Sequence, residues 1–182
     1  MKKDSFAIPL DVRAFAQSSG TRSAHDTLQK YERLMEESQG QGADLAVNWS
    51  AQGEMRAVPG EPSEIWLHLQ ADATVPVTCQ RCLLPVEIPL VVDRAFRFVA
   101  DEETAALLDE EAEEEVLALD PAFDLAALIE DELLMEMPLV PRHEVCPTEV
   151  KLEVADEDFE AALADKPKPF AALARLKGGK PH

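Results

Sequence analysis

Residues 65–98 read IWLHLQADATVPVTCQRCLLPVEIPLVVDRAFRF, and this stretch decides the fold. Ile65, Leu67, Leu69, Ala71, Ala73, Val75, Val77 and Cys79 occupy consecutive odd positions and are all apolar. Beyond the Cys79-Gln80-Arg81-Cys82 turn the even positions take over, with Val86, Ile88, Leu90, Val92, Phe96 and Phe98. Successive side chains on a strand point to opposite faces, so alternation of this length predicts two strands with one buried face. The switch from odd to even across the turn keeps that face continuous. The spacing therefore predicts a long β-hairpin with a thiol pair at its tip and Cys79 beside the core.

Outward from the hairpin, Leu45, Val47, Trp49 and Ala51 alternate with Asp44, Ala46, Asn48 and Ser50, which adds a third strand. Gly53, Pro59, Gly60 and Pro62 read as turn markers in an antiparallel meander running from Asp44 to about Val99. Before it, two short helical patterns stand near Asp11 to Gln17 and from Asp26 through Leu28, Tyr31, Leu34 and Met35. After it, Asp124 is a plausible N-cap for Leu125, Leu128, Ile129, Leu133 and Met137, with Pro138 as the stop. The acids Glu130, Asp131 and Glu132 occupy successive positions on that helix. They read as a solvated outer face open to a cationic partner, because successive positions do not converge as an acid–base pair would. The expected fold is α+β: an antiparallel meander packed by an amphipathic helix, with a helical N-terminal flank and a short C-terminal helix. The expected divisions are a flank over 1–43, a core over 44–160 with a flexible acidic loop at 101–119 that has room for a frayed helix, and a basic tail over 161–182.

Charge is unevenly placed. Of 36 acids in a chain of net charge −19, 22 fall between residues 101 and 160, where Arg142 and Lys151 are the only bases. Such a surface repels nucleic acid and favours a basic partner; its bland reading is solubility alone. The last 22 residues reverse the sign, with Lys166, Lys168, Arg175, Lys177 and Lys180 against the single acid Asp165. There Phe170, Leu173 and Leu176 follow Pro167 and Pro169 at helical spacing. That tail reads either as folded back on Phe170 or as a docking arm. The N-terminus has no apolar run after its lysines, and no stretch approaches the roughly 18 apolar residues of a membrane span. A cytoplasmic location is expected, where a Cys-x-x-Cys is more often a metal or redox device than a structural bridge.

Three cysteines and one histidine carry the candidate chemistry. Structural zinc takes four tetrahedral ligands, often as two closely spaced pairs. Cys79 with Cys82, and His143 with Cys146, make such a Cys₃His set. Beside it stand two plainer readings: Cys79 as a small buried hydrophobe and His143 as a solvated loop residue. A redox reading needs a helix opening on the Cys-x-x-Cys to lower a thiol pKa, and strands flank this pair instead. Arg81 is the one cation in that turn. No Gly-rich phosphate loop, Gly-x-Ser-x-Gly elbow or His-Glu-x-x-His helix occurs, so the expectation is a non-enzymatic protein.

Four motifs in register carry a resemblance. They are Cys79-Gln80-Arg81-Cys82-Leu83-Leu84-Pro85, Asp124-Leu125 leading into Ile129 to Leu134, Met137-Pro138-Leu139-Val140-Pro141 with His143 and Cys146, and Lys166-Pro167-Lys168-Pro169-Phe170. In these the chain resembles the YceD family of large ribosomal RNA subunit accumulation proteins. The resemblance implies a cytosolic ribosome-biogenesis factor supporting synthesis, processing or stability of large-subunit ribosomal RNA. The partner expected with it is a basic ribosomal protein or a pre-ribosomal large-subunit particle, met through Arg81, Glu130, Asp131, Glu132 and Phe170. The rival expectation is a small zinc-binding or thiol-redox protein without a ribosomal role.

Overall fold

A computed structural model describes residues 6–60, 62–109 and 112–149. Phe170 and the proposed C-terminal helix lie outside these residues. The chain divides into two units, Met1–Pro147 and Thr148–His182, and every element named here belongs to the first.

The element order is α1 (Val12–Gln17), β1 (Thr21–Thr27), a 3-10 turn (Leu28–Lys30), α2 (Glu32–Glu37), β2 (Ala46–Arg56), β3 (Glu64–Thr78), β4 (Pro85–Val99), α3 (Glu102–Asp109), β5 (Glu115–Ala118) and α4 (Leu125–Met135). One sheet holds the strands in sequence order. Its first three pairings are antiparallel, and β5 joins β4 in parallel. The expected α+β class is thus observed. The hairpin pairs from Ile65 against Phe98 to Thr78 against Pro85.

Prolines fit inside these strands because each lies where its strand has no second neighbour. β2 covers β3 only as far as Ala73, which leaves Pro76 beyond it, and β5 covers only Phe96–Val99 of β4, far from Pro89. A proline cannot donate to a ladder, so an uncovered edge is where it is tolerated. The distal third of the hairpin, beyond Ala73, consequently runs past the rest of the sheet as a two-stranded ribbon, with the cysteines at its end.

One face of the sheet is packed. α1 lies on β2 and β3, and α4 on β3 and β4. Val12 and Ala16 of α1, with Leu125, Ile129 and Leu133 of α4, meet Leu67, Leu69, Val75, Leu90 and Phe96 in a single core. Asp124 is the N-cap, accepting from the backbone N–H of Ala126 at 3.0 Å, and it also takes the N–H of Ile8 at 2.7 Å. The segment before α1 is thereby stitched to the start of α4. Gly53 lies within β2 and is not a turn. A Cβ there would come within 2.8 Å of the Ala16 backbone, so its missing side chain is what admits α1.

Two segments differ from expectation. Thr21–Thr27, inside the stretch read as helical flank, is an edge strand with Ala24 opposite Trp49 and Asp26 opposite Val47. Its single apolar residue leaves no alternation to read. The acidic stretch read as a loop with a frayed helix holds the helix α3 and, unexpectedly, the strand β5, in the crossover that parallel neighbours require. Val116 and Ala105 are buried there. Arginines of β4 receive the acids: Arg97 lies 3.2 Å from Glu114 and 3.0 Å from Glu64, and Arg94 lies 3.7 Å from Glu115.

Helix α2 carries no cap of its own, since its N-cap residue is Tyr31. Glu130 of α4 fills that role from across the fold. Its Oε1 accepts the backbone N–H groups of Arg33 at 2.7 Å and Leu34 at 3.2 Å, and its Oε2 accepts from Arg33 Nε at 3.0 Å. Removing the carboxylate orphans two helix-start donors. Glu130→Ala is expected to cost about 2 kcal/mol in denaturant unfolding, with Glu130→Gln intermediate.

Candidate metal centre

The loop Cys79–Leu84 closes the hairpin with two backbone bonds, Cys79 N–H to Leu84 C=O and Leu83 N–H to Cys79 C=O, both 2.9 Å. Leu83 has φ of +61°, a left-handed conformation that lets the six-residue loop turn back. Pro138 follows the end of α4, and the segment after it runs past the hairpin tip. Gln80 N–H donates to Pro141 C=O at 2.8 Å and pins the two together.

Around that contact the four predicted ligands converge. Cys79 Sγ lies 3.9 Å from Cys146 Sγ, and Cys82 Sγ lies 3.4 Å from His143 Nδ1. All four ligand atoms, from Cys79, Cys82, His143 and Cys146, fall within 4.8 Å of one another. Tetrahedral zinc with metal–sulfur bonds of 2.3 Å has ligand–ligand edges of about 3.8 Å, shorter where nitrogen replaces sulfur. The set matches that size. Cys79 is buried and the other three are half-buried, so the cluster is shielded without being sealed. These four side chains can hold a metal ion.

Arg81 organises the second loop. Its Nη2 donates to the carbonyls of His143 at 3.0 Å and Glu144 at 3.2 Å, and its Nε lies 3.0 Å from Cys146 Sγ. The guanidinium therefore grips the same loop that supplies two ligands. Its own pKa is raised, chiefly by the hydrogen bond to Cys146. Burial pushes the Cys79 thiol up, yet backbone donors at Cys82, His143 and Arg81 outweigh it and bring Cys79 down to about 5. Cys82 moves the other way, raised first by burial and then by the sulfurs of Cys79 and Cys146. Crowded thiols resist ionising together; a cation among them relieves that. No helix opens on the Cys-x-x-Cys, so the thioredoxin-type context is absent among the described residues.

The acids expected to face a partner are mostly engaged within the fold. Glu130 is buried under α2, and Glu132 is only 4% exposed. Asp131 is exposed and ion-paired with Arg33. Arg81, too, is committed to the neighbouring loop. The Glu130–Arg33 cap was not legible in advance, because its partners stand 97 residues apart and neither belongs to a local capping motif.

A five-stranded α+β chain with a Cys₃His set clasped between a hairpin tip and a post-helix loop is the class that this geometry defines. Residues 67–177 match the family described as "Large ribosomal RNA subunit accumulation protein YceD", and the chain belongs to that family. Over 108 residues it is 37% identical to the Large ribosomal RNA subunit accumulation protein YceD of Haemophilus influenzae. That alignment covers 57% of this chain and 60% of the relative. No solved structure matches the chain. No helix among the described residues is long and apolar enough to cross a membrane.

Proposed function

We propose that this protein is a non-enzymatic factor in the accumulation of large-subunit ribosomal RNA, acting through a basic ribosomal protein or a pre-ribosomal large-subunit particle. Family membership over residues 67–177 carries the reading. The net charge of −19 supports the choice of a basic partner, because such a surface attracts cationic protein and repels bare phosphate. Zinc at Cys79, Cys82, His143 and Cys146 serves a structural role in this reading. When bound it cross-links the hairpin tip to the loop after α4, and Arg81 positions Cys146 from outside the ligand set.

The test is deletion and complementation in the native host, scoring large- against small-subunit ribosomal RNA together with sedimentation of the tagged protein. Reduced large-subunit RNA, and cofractionation with large-subunit precursors, are the expected results. Unchanged RNA and a protein that stays at the top of the gradient would refute the role. The association should also weaken steeply as salt rises across the physiological range, since exposed charges are screened within about 8 Å at that ionic strength. A complex indifferent to salt would remove the electrostatic mechanism while leaving the ribosomal role.

A further inference from the structure

A cavity of about 700 Å³ opens between α4 and the β4–β5 edge, well away from the cysteines in sequence. Phe123, Leu128 and Met135 give it an apolar wall, and Glu115, Asp120 and Glu132 line it with carboxylates. Acids alone would carry no conclusion, being common on any solvated surface. Glu132 is different: it is 4% exposed, and its Oε2 is buried with no hydrogen-bond partner among the described residues. Arg94 Nε ion-pairs with that oxygen at 3.4 Å, without an aligned hydrogen bond. Burial raises the pKa of Glu132, with the charge of Arg94 pulling against it.

The ion pair with Arg94 offsets the charge of Glu132 but leaves its buried Oε2 without an aligned donor, so a better-placed cation would bind it more strongly. Arg94 shows what kind of group fits. Its side chain is 45% exposed and divided between Glu132 and Glu115, the latter 3.7 Å away, so it occupies the mouth loosely. An incoming cation on an aliphatic stem can displace it, lay the stem along Phe123 and Met135, and give Glu132 Oε2 the aligned donor that Arg94 does not.

We propose that this cavity receives an arginine or lysine side chain from a basic polypeptide segment. The choice of polypeptide over RNA follows from charge: phosphate would meet Glu115, Asp120 and Glu132 together. The inference rests on the reading of an acidic factor with a basic partner, and it supplies that partner's point of contact.

The experiment measures fluorescence anisotropy of a labelled short peptide of alternating arginine, leucine and glycine against the full chain. Glu132→Gln should weaken binding about tenfold, the scale of one charge-assisted hydrogen bond. Arg94→Ala should tighten it by removing the internal competitor. Asp93→Asn removes an acid on the opposite, open face of the sheet and should change affinity less than about twofold. Backbone amide shifts on adding peptide to the wild-type chain should concentrate at Leu117, Phe123 and Ala127 to Met135, a readout independent of how Glu132→Gln folds. Equal weakening by Asp93→Asn and Glu132→Gln, shifts mapping elsewhere, or no binding at all would each overturn the proposal. A chain that cofractionates with large-subunit particles yet fails these measurements refutes the cavity alone; failure to cofractionate refutes the parent reading.

Discussion

Protein purified without chelator is expected to contain close to one zinc ion per chain, and Cys82→Ser or Cys146→Ser to abolish that content. The expectation follows from four ligand atoms within 4.8 Å of one another, with the observed 3.9 Å and 3.4 Å separations near the edge lengths of a tetrahedral site. Zinc fingers owe their whole fold to the metal, a stabilisation of roughly 10–16 kcal/mol. Here the sheet core has its own apolar packing, so the loss should be local and smaller, about 2–4 kcal/mol. It should fall on the ribbon beyond Ala73, where β3 has no β2 beside it. The Gln80 amide, which bridges to Pro141, is the reporter. Its hydrogen exchange should accelerate at least tenfold on metal removal, while amides near Leu67 and Phe96 stay protected. Zinc-free protein with native exchange at Gln80 would dismiss the site. Arg81→Ala should keep the ligands and weaken metal retention by about 10-fold or more, the usual effect of losing an outer-shell partner.

The contrast between strands explains which parts were readable. β3 and β4 alternate because one face of each is buried along nearly its whole length, so burial is written into the side chains position by position. β1 contributes mainly backbone bonds at an edge and needs few apolar residues, which leaves Thr21–Thr27 without a signal. β5 is four residues long and sits among acids whose charges are met by Arg94 and Arg97 from another strand. No window that stops short of residue 94 contains that compensation. The same holds for α4. Its apolar stripe was legible, yet Glu130, in the middle of an acidic run, is buried because α2 arrives with bare N–H groups and Arg33. A carboxylate's exposure is set by what the rest of the chain brings to it. The Cys₃His set was legible for the converse reason: its two pairs are local and chemically unusual, and only their mutual distance awaited the fold.

Asp26→Ala is expected to destabilise the protein by about 3 kcal/mol. Asp26 is buried at the end of β1 and accepts from Trp49 Nε1 at 2.7 Å, Tyr31 Oη at 3.3 Å and Lys30 Nζ at 2.5 Å. Trp49 and Tyr31 are themselves buried, so truncation leaves two donors without water or partner, at about 1–3 kcal/mol each. Lys30 is half-exposed and simply resolvates. Tyr31 remains a donor at any working pH, because burial first, and then the charge of Asp26, push its phenol upward. The pH dependence has a definite sign. Burial raises the Asp26 pKa, but the hydrogen bonds from Lys30 and Trp49 outweigh it, and the folded value lies below the ordinary carboxylate one. A group depressed in this way binds its proton more weakly folded than unfolded, so its stabilisation is complete above the unfolded value near 3.9 and is lost as pH falls through the folded one. The gap between wild type and Asp26→Asn, followed by urea unfolding, should therefore be widest and flat from pH 5 to 7 and narrow below about pH 4. A gap that stayed constant into acid would show that the three donors are satisfied by shape and not by charge, and the ionised hub at the β1 edge would have to be abandoned.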